Sequence, residues 1–145
     1  MPVYSLPYTL VPKAPTSAFP KRTATPRPLL TVSLRSESAI LNCYALIDSG
    51  ADDCVFPSSF ASQLGLDITT NPRKFHFGGV GSDNHIAYFF DLNVTFENVV
   101  SYKIPIGFSP ALEAVGIGLL GQNGFFESFR ISFDLNSGFF HLEPR

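Results

Sequence analysis

From Pro28 onward, the sequence divides into short runs of strand-forming residues, separated by turns rich in glycine, asparagine and serine. The runs cover residues 29–34, 40–47, 75–80, 86–96, 99–108, 131–135 and 139–142. The last two flank Asn136-Ser137-Gly138, which is typical of a tight hairpin turn. Helix signals are confined to residues 57–64 and 125–129. The sequence therefore predicts a mainly β domain of mostly antiparallel strands with one or two short helices, and Pro105 is expected to interrupt its strand.

The first 28 residues differ from the rest of the chain. They contain seven of the twelve prolines, and residues 1–36 carry five basic residues and no acidic residue. Proline fixes its own φ angle and lacks the N–H that a strand ladder needs, so this stretch is predicted to be an extended, partly ordered arm. We divide the chain into this arm, residues 1–28, and a folded domain, residues 29–145. The arm either makes a weak contact with nucleic acid or, as we favour, packs against the body or stays in solvent.

Length and composition narrow the range of functions. At 145 residues, with 45% hydrophobic and 15% charged residues, the chain has enough apolar surface for one core. No run approaches the roughly 18 apolar residues of a membrane span, and no basic stretch followed by an apolar segment marks an export signal. The net charge of −2 gives no general attraction to nucleic acid. We expect a soluble cytoplasmic domain with no membrane or nucleic-acid partner.

Cysteine and histidine give no sign of a metal or redox site. Cys43 and Cys54 are too few for a four-ligand zinc site and are expected to be reduced. His76, His85 and His141 lie on separate predicted strands without the spacing of metal ligands. We therefore expect neither a metal nor an organic cofactor.

The segment most informative about chemistry is Asp48-Ser49-Gly50, which directly follows an apolar run. A carboxylate at the end of a buried strand is costly unless it is hydrogen-bonded or paired. The Ser49 hydroxyl and the Gly50 N–H could supply such bonds, and Gly50 leaves room for another segment or a substrate to approach. The same residue types are ordinary in a strand-end turn, so these three residues alone do not decide between a turn and a site.

About seventy residues later, Gly118-Leu119-Leu120-Gly121 forms a second short apolar run that ends in glycine. In this order, the two segments resemble the retropepsin-like aspartic proteases, which include the retroviral proteases and their cellular and bacterial relatives. The segment from Asp48 to Asp53 is similar to the catalytic loop of that family, and Leu119-Leu120-Gly121 is similar to the strand behind that loop. Residues 78–84, rich in glycine, fall where the family has its flap. The chain looks like a single-domain bacterial or cellular member.

The resemblance implies a fold, a reaction and a set of site residues. The fold would be a closed antiparallel β-barrel with a flap hairpin, and the reaction would be peptide-bond hydrolysis by a water held between two aspartates. Because the chain has one Asp-Ser-Gly segment, each subunit of a homodimer would supply one Asp48. The implied catalytic residues are Asp48, Ser49 and Gly50, the implied peptide-binding residues are Ala51, Asp52, Asp53, Gly79, Val80 and Gly81, and the implied structural residues are Leu119, Leu120 and Gly121.

One position departs from the retroviral pattern. Retroviral members often have arginine directly after the second glycine, where it pairs with the aspartate that corresponds to Asp52, whereas this chain has Gln122. We expect Asp52 either to pair with an arm arginine such as Arg27 or to stay solvated. Either the N-terminal arm or residues 139–142 could supply the dimer contacts.

Two functions compete at this point. The first is an active homodimeric aspartic endopeptidase that acts on peptides or proteins. The second is a catalytically silent peptide-binding or dimerisation module on the same fold. Peptide cleavage that depends on Asp48 distinguishes them.

Overall fold

Short strands and one α-helix form the regular structure of the described residues. The structure is a computed structural model, and it describes residues 2–70, 73–77 and 85–145, with the backbone alone at His76 and Phe77. The strands are β1 (Tyr4–Pro7), β2 (Thr9–Pro12), β3 (Ala24–Arg27), β4 (Leu29–Arg35), β5 (Ile40–Ile47), β6 (Val55–Pro57), β7 (Lys74–Phe77), β8 (His85–Phe96), β9 (Val100–Ser109), β10 (Gly118–Leu120), β11 (Phe129–Asp134) and β12 (Phe139–Pro144). The α-helix is α1 (Ser58–Gln63), and short helical turns occupy Pro110–Leu112, Gln122–Phe126 and Leu135–Ser137. The mainly β prediction is confirmed.

The main sheet contains seven strands in the order β4-β5-β10-β6-β9-β8-β7, and β4 also pairs with β8. Most pairings are antiparallel as predicted, but β5 with β10 and β6 with β9 are parallel. Because β10 is antiparallel to β6, the flanking strands β5 and β6 run in opposite directions, and a strand between them must be parallel to one of them. As a consequence, the loop from β5 to β6 passes over the end of β10. This loop carries residues 48–54.

The core lies on one face of this sheet. In β4, every second residue from Leu30 to Leu34 is buried, which is the period of a strand with one inward face. Phe96 at the end of β8 packs against Phe125 and Phe129, and the ring centroids in this group are 5.0 to 5.3 Å apart. Aromatic side chains bury more apolar area than any others, so this cluster fixes the segment that follows β10 against the core.

The helix predicted at residues 57–64 is confirmed. It begins directly after Pro57 and is followed by Gly65, whose φ of 72° suits glycine at a helix end. The first turn receives a carboxylate from outside the helix, because the N–H of Ser59 donates to Glu113 Oε1 at 2.6 Å. This contact joins α1 to the turn after β9.

The short helix predicted at residues 125–129 is confirmed except at its last residue. Residues 122–128 are helical, but Asn123 and Gly124 have non-helical angles, with φ of 96° at Gly124, so the regular turn begins at Phe125. Phe129 already belongs to β11, where it pairs with Pro144. The pairing of β11 with β12 ends the helix one residue before the predicted end.

The prediction that Pro105 interrupts its strand is wrong. β9 runs through Pro105, which lies opposite Asp91 of β8. On its other side, β9 pairs with β6 only from Gly107 to Ser109. Pro105 therefore lies where β9 has a neighbour on one side only, and such a position tolerates the missing N–H.

The two ends of the chain form smaller sheets. β1, β12 and β11 form a three-stranded sheet in which Tyr4 lies opposite Leu142, and the predicted hairpin between β11 and β12 is confirmed, with Gly138 at a φ of 82° in its turn. β2 and β3 form a separate two-stranded ribbon within residues 1–28. In the described part of the chain, no helix has the length and the apolar composition that crossing a membrane requires.

Candidate active site

Asp48 lies directly after β5, at the point where the loop to β6 begins. Its backbone N–H donates to the carbonyl of Leu120 at 3.0 Å, which ties the strand end to β10. The Ala51 N–H donates to the Asp48 carbonyl at 3.1 Å, and the Gly50 N–H donates to Asp48 Oδ1 at 2.9 Å. The carboxylate is therefore oriented by its own turn and, being only half-buried, stays open to water or a ligand.

Gln122 and Asn123 hold this loop from the other segment. Their backbone N–H groups donate to the carbonyls of Ala51 and Asp52, at 2.9 and 2.8 Å respectively. The side-chain amide of Gln122 donates to the Ser49 carbonyl at 2.8 Å. The amide of Asn123 donates to Asp53 Oδ1 at 3.2 Å. Four hydrogen bonds thus brace four loop residues, which are Ser49, Ala51, Asp52 and Asp53, against one dipeptide.

Gly121 allows the two segments to come this close. A Cβ atom built on Gly121 would lie 2.4 Å from the Asp53 carbonyl oxygen and 2.6 Å from the Ala51 carbonyl oxygen. Both contacts are with backbone atoms, which cannot rotate away as a side chain can. The φ of Gly121 is −107°, which any residue adopts, so the need for glycine here comes from space alone.

Leu119 and Leu120 belong to different faces of β10. Leu120 is fully buried in the main core, where it supports the loop as expected. Leu119 is half-exposed on the opposite face and packs against a second, smaller apolar cluster of Val55, Ala87 and Leu112. Of the two expected structural residues, Leu120 therefore lies on the core side of β10 and Leu119 on the opposite side.

A cavity of about 370 Å³ lies between the loop and the base of the β7–β8 hairpin. Its wall includes Asp53 and Asn123 from the loop region and, from the sheet, Lys74, Phe75, Phe89 and Pro105. Phe89 lies across Gly107, where an added Cβ would come within 2.8 Å of its ring. The cavity therefore has aromatic walls and a charged rim, next to the residues expected to bind a peptide.

The structure brings together one group of expected site residues and does not describe another. Asp48, Ser49, Gly50, Ala51, Asp52 and Asp53 form one loop, and Leu120 and Gly121 lie beneath it. The expected flap residues Gly79, Val80 and Gly81 lie outside the described residues. The strands that lead to them, β7 and β8, pair antiparallel from Lys74 opposite Tyr88 to Phe77 opposite His85.

Asp52 has none of the ion pairs considered for it. Among the described residues, Arg27 and Asp52 form no ion pair, and the side chain of Asp52 is exposed. It lies in a shallow depression that also includes Glu127 and Arg145. Gln122 donates to the Ser49 carbonyl, so it braces the loop by a neutral hydrogen bond at the position where retroviral members often have arginine.

The bracing roles of Gln122 and Asn123 were missed from the sequence. An amide side chain binds whichever partner the fold brings within about 3 Å, and here both partners lie about seventy residues away in sequence. Their one sequence signal is position, since both directly follow the glycine of the second segment.

The two thiols do not take part in this site as nucleophiles. Burial raises the pKa of Cys43 to about 12 and that of Cys54 to about 11, so both are protonated near neutral pH. Cys54 donates weakly to the Asn123 carbonyl at 3.5 Å. Within the ranges that the structure describes, no three His, Cys, Asp or Glu side chains converge as a metal site would require.

Comparison with known proteins places the fold. No family model and no curated protein matches the sequence. Among solved structures, the chain is similar to the crystal structure of a retropepsin-like aspartic protease from Rickettsia conorii, with a TM-score of 0.60 and 16% sequence identity. The match covers 97% of this chain and 92% of that chain. The chain therefore has a retropepsin-like, mainly β fold.

Proposed function

We propose that the protein is a subunit of a homodimeric aspartic endopeptidase of the retropepsin-like family, in its bacterial or cellular branch. The observation that carries this proposal is the loop at Asp48, which is oriented by its own turn and braced through a contact that only Gly121 permits. A surface turn has no need of such bracing, whereas a catalytic carboxylate must be held in one geometry. The link between β4 and β8 supports the closed barrel of that family.

Two carboxylates are needed for the reaction, and one subunit offers one Asp-Ser-Gly segment. In a two-fold symmetric dimer, Asp48 of each subunit would face its counterpart. Two carboxylates that lie within hydrogen-bond distance of each other share a proton. One then acts as a base on water while the other acts as an acid on the peptide carbonyl. Activity is expected at acidic to near-neutral pH. A single subunit would be inactive.

The other residues of the loop would bind and position the substrate. Ser49 and Gly50 would hold the two loops together at the two-fold axis. Ala51, Asp52 and Asp53 would bind the backbone of an extended peptide, and the flap residues Gly79, Val80 and Gly81 would cover it. The half-exposed Leu119 and the cavity beside Asp53 would receive peptide side chains. We place the enzyme in the cytoplasm, and neither a metal nor an organic cofactor enters the reaction.

Cleavage of a diverse peptide mixture tests this proposal. The wild type, Asp48→Asn and the control Asp134→Asn are incubated at about pH 4 to about pH 7.5, and mass spectrometry identifies the products. Asp134 is a suitable control because it is an exposed aspartate in the β11–β12 hairpin. We expect the wild type and the control to cut at the same bonds and Asp48→Asn to cut none.

The oligomeric state is measured in the same buffers by sedimentation. A confirmed dimer that cuts no peptide in this range would overturn the proposal and favour a peptide-binding or dimerisation module. Cleavage that survives in Asp48→Asn would overturn it as well, because the carboxylate would then be dispensable.

A further inference from the structure

The ribbon formed by β2 and β3 has no partner in its own subunit among the described strands. The two strands pair with each other, from Thr9 opposite Arg27 to Pro12 opposite Ala24, and with no other strand that is described. Every residue of β2 is exposed. Because an isolated two-stranded hairpin is at best marginally stable in water, a ribbon of this kind is stabilised when it packs on another surface.

The ribbon exposes a large apolar side chain and carries basic ones. Leu10 is 69% exposed, whereas its neighbour Val11 lies on the opposite face of the strand and is 36% exposed. In the connecting loop, the guanidinium of Arg22 lies 4.4 Å from the centre of the exposed Phe19 ring. Residues 9–27 also contain Lys13, Lys21 and Arg27 and no acidic residue.

The base of the ribbon lies beside the catalytic loop. The chain leaves β3 at Arg27, and the carbonyl of Pro28 accepts a hydrogen bond from the N–H of Ile47 at 3.0 Å. Ile47 directly precedes Asp48. If two Asp48 residues meet at a two-fold axis, both ribbons therefore start close to that axis. A four-residue strand spans about 13 Å, which is enough to carry the ribbon across it.

The same end of the subunit is acidic. Asp48, Asp52 and Asp53 lie on the catalytic loop, and the depression that contains Asp52 also contains Glu127 and Arg145, so carboxylates outnumber the one guanidinium there. Two such ends brought together would repel each other unless cations came between them. A basic ribbon that starts at this end supplies those cations.

We propose that residues 9–27 form a clasp that packs on a second copy of this chain. Leu10 is buried against the other subunit, and the basic side chains lie over its acidic loop end. By symmetry each subunit gives one ribbon and receives one. This inference rests on the homodimer in the proposed function and adds the surface that holds the dimer together.

Sedimentation equilibrium of the full chain tests the clasp. The variant Leu10→Ser is compared with the wild type and with Val99→Ser, which changes an exposed valine outside residues 9–27. We expect the ribbon variant to raise the dimer Kd by about tenfold or more and the control to leave it within about twofold. We also expect added salt to weaken the wild-type dimer, because screening removes the attraction between the ribbon and the acidic loop end.

Hydrogen exchange of the unaltered protein gives a second readout that no folding defect can imitate. The backbone N–H groups of residues 9–27 are expected to exchange more slowly above the dimer Kd than below it. Equal Kd values for the ribbon and control variants, or no added protection in the dimer, would overturn the clasp. A wild type that stays monomeric at all concentrations would overturn it too.

Failure of the clasp and failure of the proposed function are distinguishable. An active enzyme whose dimer ignores the ribbon variant would refute the clasp and leave the protease intact. A dimer that the ribbon variant dissociates but that cuts no peptide would support the clasp and refute the protease.

Discussion

Replacement of Gly121 by alanine should damage both the stability and the activity of the protein. The added Cβ would lie within 2.8 Å of three backbone atoms of Ala51 and Asp53, so the loop must move. Overpacking by one methyl group costs about 1–3 kcal/mol. The movement would also break the backbone hydrogen bonds from Gln122 and Asn123 to the loop, at about 1 kcal/mol each. The expected loss is about 3–5 kcal/mol, out of about 5–15 kcal/mol for a typical domain.

Thermal unfolding measures this loss, with Gly138→Ala as the control. At Gly138, nothing lies within 4 Å of an added Cβ, and the φ of 82° alone opposes the substitution, at about 1–2 kcal/mol. We expect Gly121→Ala to lower the Tm by roughly 10 °C or more, and Gly138→Ala by a few degrees. Peptide cleavage by Gly121→Ala should fall further than its folded fraction does, because the displaced loop carries Asp48.

Two results would refute the reasoning. Equal decreases in Tm for the two variants would mean that the loop can move away from the added Cβ at position 121 without a measurable loss of stability. If Gly121→Ala is destabilised but cleaves as fast per folded molecule as the wild type, the hydrogen bonds that brace the loop are not needed to position Asp48.

Three further predictions concern the brace, the helix cap and the thiols. Gln122→Ala should lower the free energy of unfolding by about 1 kcal/mol and the rate of peptide cleavage several-fold, because the hydrogen bond to the Ser49 carbonyl is lost. Urea unfolding measures the stability, and kcat/KM measures the cleavage. A variant in which both values equal those of the wild type would refute this prediction. The N–H of Ser59 and the Ser58 hydroxyl hold the pKa of Glu113 below its usual 4.5, so Glu113 stabilises the folded state above that pH and its contribution disappears as the pH falls through the lowered pKa. The Tm difference between the wild type and Glu113→Ala should therefore be present at pH 7 and shrink in acid, and a difference that grows in acid would contradict this sign. Because burial raises the pKa of Cys43 to about 12 and of Cys54 to about 11, iodoacetamide at pH 8 should modify neither thiol of the folded protein, and rapid labelling seen by intact mass would contradict their burial.

The fold could be predicted from the sequence where local chemistry decides it. The strand before Asp48, the helix between Pro57 and Gly65 and the hairpin at Gly138 each have their own signals, and all three are confirmed. The helix predicted at residues 125–129 ends one residue early, because Phe129 pairs with a strand more than ten residues away. Local propensity carries no information about that partner.

The candidate site was predictable to a similar extent. Asp48 and Gly121 stand out in the sequence because the order of their two segments resembles that of a known family, although each segment alone has ordinary residue types. The amides of Gln122 and Asn123 do not stand out, since amides bind whatever lies near, and only the crossing of the two segments brings their partners close. The opposite directions of Leu119 and Leu120 follow from strand geometry and could have been derived from the alternation alone.

The order of synthesis sets when this site can exist. The loop at residues 48–53 is synthesised early, but Gln122 and Asn123, which hold it in place, are synthesised about seventy residues later. β1 is synthesised first and can pair only after its partner strand, near residue 142, has been made. Contacts so distant in sequence form slowly and late in folding. Until residues 122 and 123 have been synthesised, the loop at Asp48 lacks the hydrogen bonds that brace it. If the protein is the proposed protease, this topology would delay cleavage until translation of the domain is nearly finished.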